Sequence, residues 1–126
     1  MRMSFDWSHY LVLANDLSKC ERADPLAEAK QRCAVSRAYY SVFIRARNLL
    51  RRKDHVYVPR DRTHQFVIEQ FRGAPIAERQ EIGDHLQELL KYRTNADYDD
   101  SIPQLAWFVE LVLKMAADTE DLLKRV

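Results

Sequence analysis

A chain of 126 residues has the length of one domain, and a domain of this size buries roughly two-thirds of the surface its unfolded chain exposes. Hydrophobic residues make up 47% and charged residues 31%, with two glycines and four prolines, which excludes a disordered or β-rich chain; the net charge of +1 excludes a generally basic, DNA-coating protein. Cys20 and Cys33 are too few for a disulfide framework, the start MRMSFDWSHY lacks the features of a signal peptide, and no apolar run reaches membrane-spanning length, so the expectation is a cytoplasmic protein with reduced thiols and no membrane partner.

The pattern predicts five helices. The first follows Ser4 as N-cap and places Trp7, Leu11, Ala14 and Leu17 at helical spacing until about Lys19. The second opens with Asp24 as cap and Pro25 at the first helical position and runs to about Arg52, which makes it the longest element. VYVPRDR reads as a loop broken by Pro59, after which Thr63 caps a third helix carrying Phe66, Val67 and Phe71 and ending at Gly73. Pro75 starts a fourth helix with Ile82, Leu86 and Leu89 on one face, running up to the stretch KYRTNADYDD at 91–100. The fifth follows Ser101, where S-I-P-Q has the form of a capping box with Gln104 reaching back, and continues almost to Val126. The fold class is therefore all-α: a single five-helix domain, an up-and-down bundle around a long central second helix.

Two of these helices are more apolar than a surface helix. CAVSRAYYSVFIRARNLL carries apolar or aromatic side chains around almost its whole circumference, as a central helix packed on several sides does. The fifth helix has one stripe at Ile102, Leu105, Val109, Val112 and Ala116 and a second at Trp107, Phe108, Leu111 and Met115. The second stripe fits a homodimer interface or a helix sandwiched within one bundle.

Position counting singles out two arginines. Ile82, Leu86, Leu89 and Arg93 are spaced so that Arg93 continues the apolar stripe, and Arg37 lies within the most apolar part of the second helix. A half-buried guanidinium needs a carboxylate, a phosphate or carbonyls as partner. Arg93 can satisfy the last carbonyls of its helix, pair with Asp97 or Asp99, or hold a phosphate; an internal salt bridge is the expectation for Arg37.

S-R-A-Y-Y-S-V-F at 36–43, T-H-Q-F at 63–66 and R-T-N-A-D-Y-D at 93–99 together resemble the HEPN superfamily (higher eukaryotes and prokaryotes nucleotide-binding domain) over nearly the whole chain. The resemblance implies an all-α bundle that commonly dimerises, often encoded beside a minimal nucleotidyltransferase or within toxin and phage-defence loci, many members being metal-independent RNA endonucleases and others noncatalytic modules. Nuclease members are similar to one another in an arginine, a nearby polar residue and a histidine four to six residues past the arginine. Here Arg93 and Asn95 fit, and Asp97, Tyr98 or Asp99 takes the place of the histidine. The resemblance thus assigns Arg93, Asn95, Asp97 and Tyr98 as the candidate catalytic set, with tyrosine and aspartate poorly matched to proton transfer at neutral pH.

A second feature favours an anionic partner. Arg45, Arg47, Arg51, Arg52, Lys53, Arg60 and Arg62 form a basic strip with Tyr57 interleaved, while residues 76–110 are acidic. Arg37, Arg51, Arg52, Lys53 and Tyr57 are the candidate nucleic-acid contacts, with Tyr57 able to stack on a base. His64 reads as part of the third helix's N-terminus and His85 as a packing residue; cysteine and histidine spacing fits no zinc site, and no glycine-rich phosphate loop or cofactor motif occurs. The functional expectation is a homodimeric, RNA-directed component of a prokaryotic toxin–antitoxin or defence system; the competing one is a noncatalytic adapter or nucleotide-binding module partnering a nucleotidyltransferase.

Overall fold

The computed structural model describes residues 4–126 and consists of α1 (His9–Ser18), α2 (Ala27–Arg52), α3 (Thr63–Arg72), α4 (Ala77–Tyr98) and α5 (Leu105–Arg125), with no strand among the described residues. α2 touches all four other helices. Its all-round apolar sequence explains this: Ala34, Val35, Ala38, Tyr39, Val42 and Ala46 are fully buried and meet Leu11 and Ala14 of α1, Leu86 and Leu89 of α4, and Val112 and Ala116 of α5 in one core. Among the described residues no helix is long and apolar enough to cross a membrane.

The helix ends depart from the sequence reading in ways that local hydrogen bonding accounts for. α1 starts at His9 rather than after Ser4, because the Asp6 carboxylate accepts both the Ser8 N–H at 3.0 Å and its hydroxyl at 2.6 Å and so folds the preceding segment into a turn. Asp24 accepts the Leu26 N–H at 2.8 Å in a turn ahead of α2 and is not its cap: the N-cap position is Leu26, without a side-chain cap, and regular helix begins only at Ala27. The Thr63 hydroxyl lies 2.8 Å from the carbonyls of both Pro59 and Arg60 and binds the loop instead of capping α3. No capping box forms at α5: Gln104 has a left-handed backbone (φ 53°) at the N-cap position itself, so it cannot occupy the third helical position from which its amide would reach back. The largest departure is in α4, which stays helical through Tyr98.

Two tertiary devices hold α4 in place. Arg79 meets Asp54 through two N···O contacts of 2.5 and 3.1 Å, tying the start of α4 to the α2–α3 connection. Gly83 lets α3 approach, since a Cβ there would lie 2.5 Å from Arg72 Cγ and 2.6 Å from its backbone nitrogen. On α5 the two stripes do not separate into a core face and an outer face. Phe108 is buried, edge-on to Tyr92 at 5.0 Å, Met115 packs on the core, Leu111 is half-buried, and Trp107 is 61% exposed.

Candidate functional site

Because α4 stays helical to Tyr98, its residues are distributed at about 100° per position, and the four motif residues cannot all converge. Arg93 and Asp97, one turn apart, share a face: Arg93 Nε lies 2.8 Å from Asp97 Oδ2. The N–H is not directed at that oxygen and makes no hydrogen bond, so the contact is an ion pair with poor alignment. Asn95 and Tyr98 fall on the opposite side of the helix; Tyr98 is 74% exposed, and neither side chain hydrogen-bonds to Arg93. Within one chain, therefore, only half of the candidate catalytic set comes together.

The last carbonyls of α4 are not Arg93's partners either. Arg32, from α2, donates from Nη1 to the carbonyls of Ala96 at 3.0 Å and Asp99 at 2.6 Å, and from Nη2 to that of Asp100 at 3.4 Å, while its Nε contacts Glu28 at 3.2 Å. A cation from another helix thus closes the negative end of the α4 dipole and satisfies carbonyls that the helix leaves open. That frees Arg93 from a capping role.

What Arg93 touches is aromatic. Its Cζ lies 5.3 Å from the Tyr40 ring centroid, and Arg37 Cζ lies 5.4 Å from the same centroid and 4.7 Å from that of Tyr10. The salt bridge expected for Arg37 does not form: its only hydrogen bond is a long one, 3.4 Å, to the Ser36 hydroxyl, and the two tyrosine faces take the place of a carboxylate. Two guanidinium groups therefore gather on one tyrosine with a single carboxylate, Asp97, beside them, leaving a local excess of positive charge. Arg93 is 21% exposed at its side chain, and its buried Nε makes no hydrogen bond among the described residues. Arg37 and Asp97 also line one shallow depression of about 530 Å³ with Leu13, Leu17, Cys33 and Ala96. The arrangement can accept an oxyanion against Tyr40 with bidentate geometry available from either arginine.

His64 completes the rim. Its Nδ1 lies 2.6 Å from the Tyr39 hydroxyl, its ring stacks on Phe43 at 4.3 Å, and it meets Tyr40 edge-on at 6.0 Å. Burial, reinforced by the Arg93 charge, lowers its pKa from the ordinary histidine value, and burial raises that of Tyr39, with Tyr40 adding to the effect. His85 is a packing group: its Nδ1 lies 3.0 Å from Oγ1 of the buried Thr119, which donates to the Met115 carbonyl at 2.8 Å and so accepts from the imidazole.

The basic strip divides in the structure. Arg45 pairs with Glu120 at 3.3 Å, Arg47 turns to the Asn48 side chain, and Lys53 donates to the Val126 carbonyl. Arg51, Arg60, His55 and Tyr57 instead surround an open depression of about 550 Å³ floored by Val56 and Val58, with Tyr57 82% exposed. Arg52 faces a separate depression with Lys53, Phe5 and Trp7. Burial, and to a lesser extent the neighbouring Arg51 and Arg52 charges, lower the pKa of Arg47. Among the described residues no group of three or more histidine, cysteine, aspartate or glutamate side chains is placed to hold a metal ion.

Comparison with protein-family models, with curated proteins and with solved structures finds no match to this chain. Sequence spacing points to Arg93, Arg37 and the basic corner; it does not single out Arg32, Tyr10, Tyr40 or His64, which the structure places beside them. The residues SRAYY contain Tyr40 at one turn from Arg37, so the i, i+3 spacing on a helix was the available signal.

Proposed function

We propose that this chain is a HEPN-like, RNA-directed protein in which Arg93 and Arg37 hold a phosphate against Tyr40, with cleavage weak or absent. The observation that carries the reading is the Arg93 guanidinium, which sits in the apolar stripe of α4, rests on Tyr40, and keeps a buried Nε without a hydrogen-bond partner. The open corner at Arg51, Arg60 and Tyr57, with Arg52 and Lys53 next to it, supplies a second set of contacts to the same strand. Along α2 that corner lies about 20 Å from Arg37, so a strand engaging both spans several nucleotides. The resemblance of the SRAYY and ADYD segments extends the proposal to a homodimer acting in a prokaryotic toxin–antitoxin or defence system.

A second reading has its own observation. The Asp97 carboxylate already sits beside Arg93, which favours a noncatalytic adapter or nucleotide-binding module, partnering a nucleotidyltransferase, in which the arginine is mainly an organiser of the α4 end. Titration of a short, labelled single-stranded RNA by fluorescence anisotropy at increasing salt separates the two. The RNA reading expects binding at low salt whose logarithm falls linearly with the logarithm of salt concentration. Failure to bind any RNA at low salt leaves the adapter reading standing.

A further inference from the structure

We propose that His64 is the proton-transfer residue of the Arg93 site, acting on an RNA phosphodiester; the inference rests on the RNA-binding reading above. Phosphodiester cleavage through a neighbouring hydroxyl needs charge on the phosphate and a group able to take a proton near neutral pH. Arg93 and Arg37 supply the charge. No residue of the ADYD segment supplies the proton acceptor, because Tyr98 lies on the opposite side of α4, Asp97 is engaged with Arg93, and Asp99 is exposed past the last turn as the C-cap. Of the other histidines, His9 is exposed beside Asp6, His55 lies at the basic corner, and His85 is committed to Thr119. His64 alone borders the arginine pair.

Its geometry is that of a held base. Phe43 stacks on the ring with centroids 4.3 Å apart and planes inclined by 14°, Tyr39 stacks at 5.6 Å and 17°, and the Tyr39 hydroxyl fixes Nδ1 at 2.6 Å. Rotation of the imidazole is therefore blocked. Nε2 makes no hydrogen bond or ion pair among the described residues, and the ring is half-buried, so one nitrogen is left for a ligand. His64 and Arg93 both border Tyr40, at 6.0 and 5.3 Å from its centroid, and the Arg93 charge acts on the imidazole. The Tyr39 hydroxyl can accept from Nδ1–H or donate to Nδ1, and it serves both protonation states of the ring while keeping its own proton, since burial raises its pKa. Tyr39 is thus a positioning residue.

The step balances without a further reactant. Nε2 takes the proton of the 2′-hydroxyl, the 2′-oxygen forms a bond to phosphorus, and the bond from phosphorus to the 5′-oxygen breaks. Water protonates the departing 5′-oxygen, and His64 returns its proton to solvent, leaving a 2′,3′-cyclic phosphate and a 5′-hydroxyl. The groups that face His64 are Tyr39 and Tyr40 of α2 and Arg93 of α4, with no carboxylate paired to it among the described residues. Burial and Arg93 both oppose its protonation, so the base form prevails at neutral pH.

The test incubates purified protein with a labelled single-stranded RNA and its all-deoxy counterpart from about pH 5 to about pH 9, with anisotropy binding measured in parallel. Expected is slow cleavage of the RNA only, with an acid limb whose midpoint lies below the ordinary histidine pKa. His64→Gln should lower the rate by about 100-fold or more and abolish that limb while RNA affinity stays within about twofold. Should His64→Gln fail to fold, Tyr39→Phe decides: a displaced acid limb supports the assignment and an unchanged one overturns it. Wild-type protein that binds RNA through Arg93 but leaves it intact, or His64→Gln protein with the wild-type rate and profile, overturns the proposal while the binding reading survives. Absence of RNA binding by the wild type overturns both.

Discussion

The end of α4 and the corner between α2 and α3 both present arginines, yet they are built in opposite ways. At the end of α4, Arg93 and Arg37 are half-buried on Tyr40 and Tyr10, Asp97 stands one turn away, and Arg32 closes the helix from behind. At the corner, Arg51, Arg60 and Tyr57 project into an open depression without an ion-pair partner among the described residues. An arginine held against aromatic rings is pre-oriented and partly desolvated, so a phosphate meeting it gains more than it would from a mobile surface cation. The corner can add salt-dependent affinity but little geometric selection.

The largest expected effect concerns the scaffold of the first region. Arg32→Ala leaves the carbonyls of Ala96, Asp99 and Asp100 without their charged donor and should reduce stability by about 2–3 kcal/mol in urea unfolding, the range for hydrogen bonds to a charged group. A loss within about 0.5 kcal/mol would mean that the end of α4 needs no such clamp. Next comes the corner. Arg51→Glu with Arg60→Glu should weaken RNA binding by about tenfold at low salt, about 1.4 kcal/mol. The same pair should leave stability within about 0.5 kcal/mol, because both residues are exposed. If affinity is unchanged, the corner is solvated surface and the contrast between the regions collapses to one site.

The smallest expected effect is a pH dependence confined to the first region. His64 has a folded pKa below its unfolded value, so below about pH 6.5 the unfolded chain binds more protons than the folded one. Stability therefore falls as pH drops from the ordinary histidine range toward the lowered folded value, and it is fully present above that range. Chemical denaturation across this window should show a shallow slope that His64→Gln removes. A slope that persists in the variant belongs to another group.

How much of this was legible in the sequence follows the range of the contacts. The heptad-like spacing of Ile82, Leu86, Leu89 and Arg93 marked the misplaced arginine because one helix carries the whole pattern. The all-round apolar run of α2 marked the central helix for the same reason. Arg32 and His64 were not legible as site residues: Arg32 acts on carbonyls some 64 residues away, and His64 reaches its partner hydroxyl across 25 residues and two helices. Nothing local distinguishes either from a solvated side chain. α4 runs about two turns past the end the sequence pattern suggests, and no glycine or proline lies between Gly83 and Pro103 to stop it. HEPN-type function was read from motif resemblance, and the structure places only Arg93 and Asp97 of that motif together in one chain.

The central claim is that Arg93 serves a phosphate rather than the fold, and Arg93→Ala tests it when RNA affinity and thermal unfolding are measured on the same preparation. The Arg93–Asp97 pair is poorly aligned and reaches solvent, so its removal, together with the lost packing on Tyr40, should cost only about 1–2 kcal/mol. The expected result is a folded protein with a modestly lowered Tm whose affinity for single-stranded RNA has dropped by tenfold or more. An unchanged affinity, or a collapse of the fold of about 3–5 kcal/mol as removal of one member of a buried pair produces, would contradict the claim and make Arg93 a structural arginine.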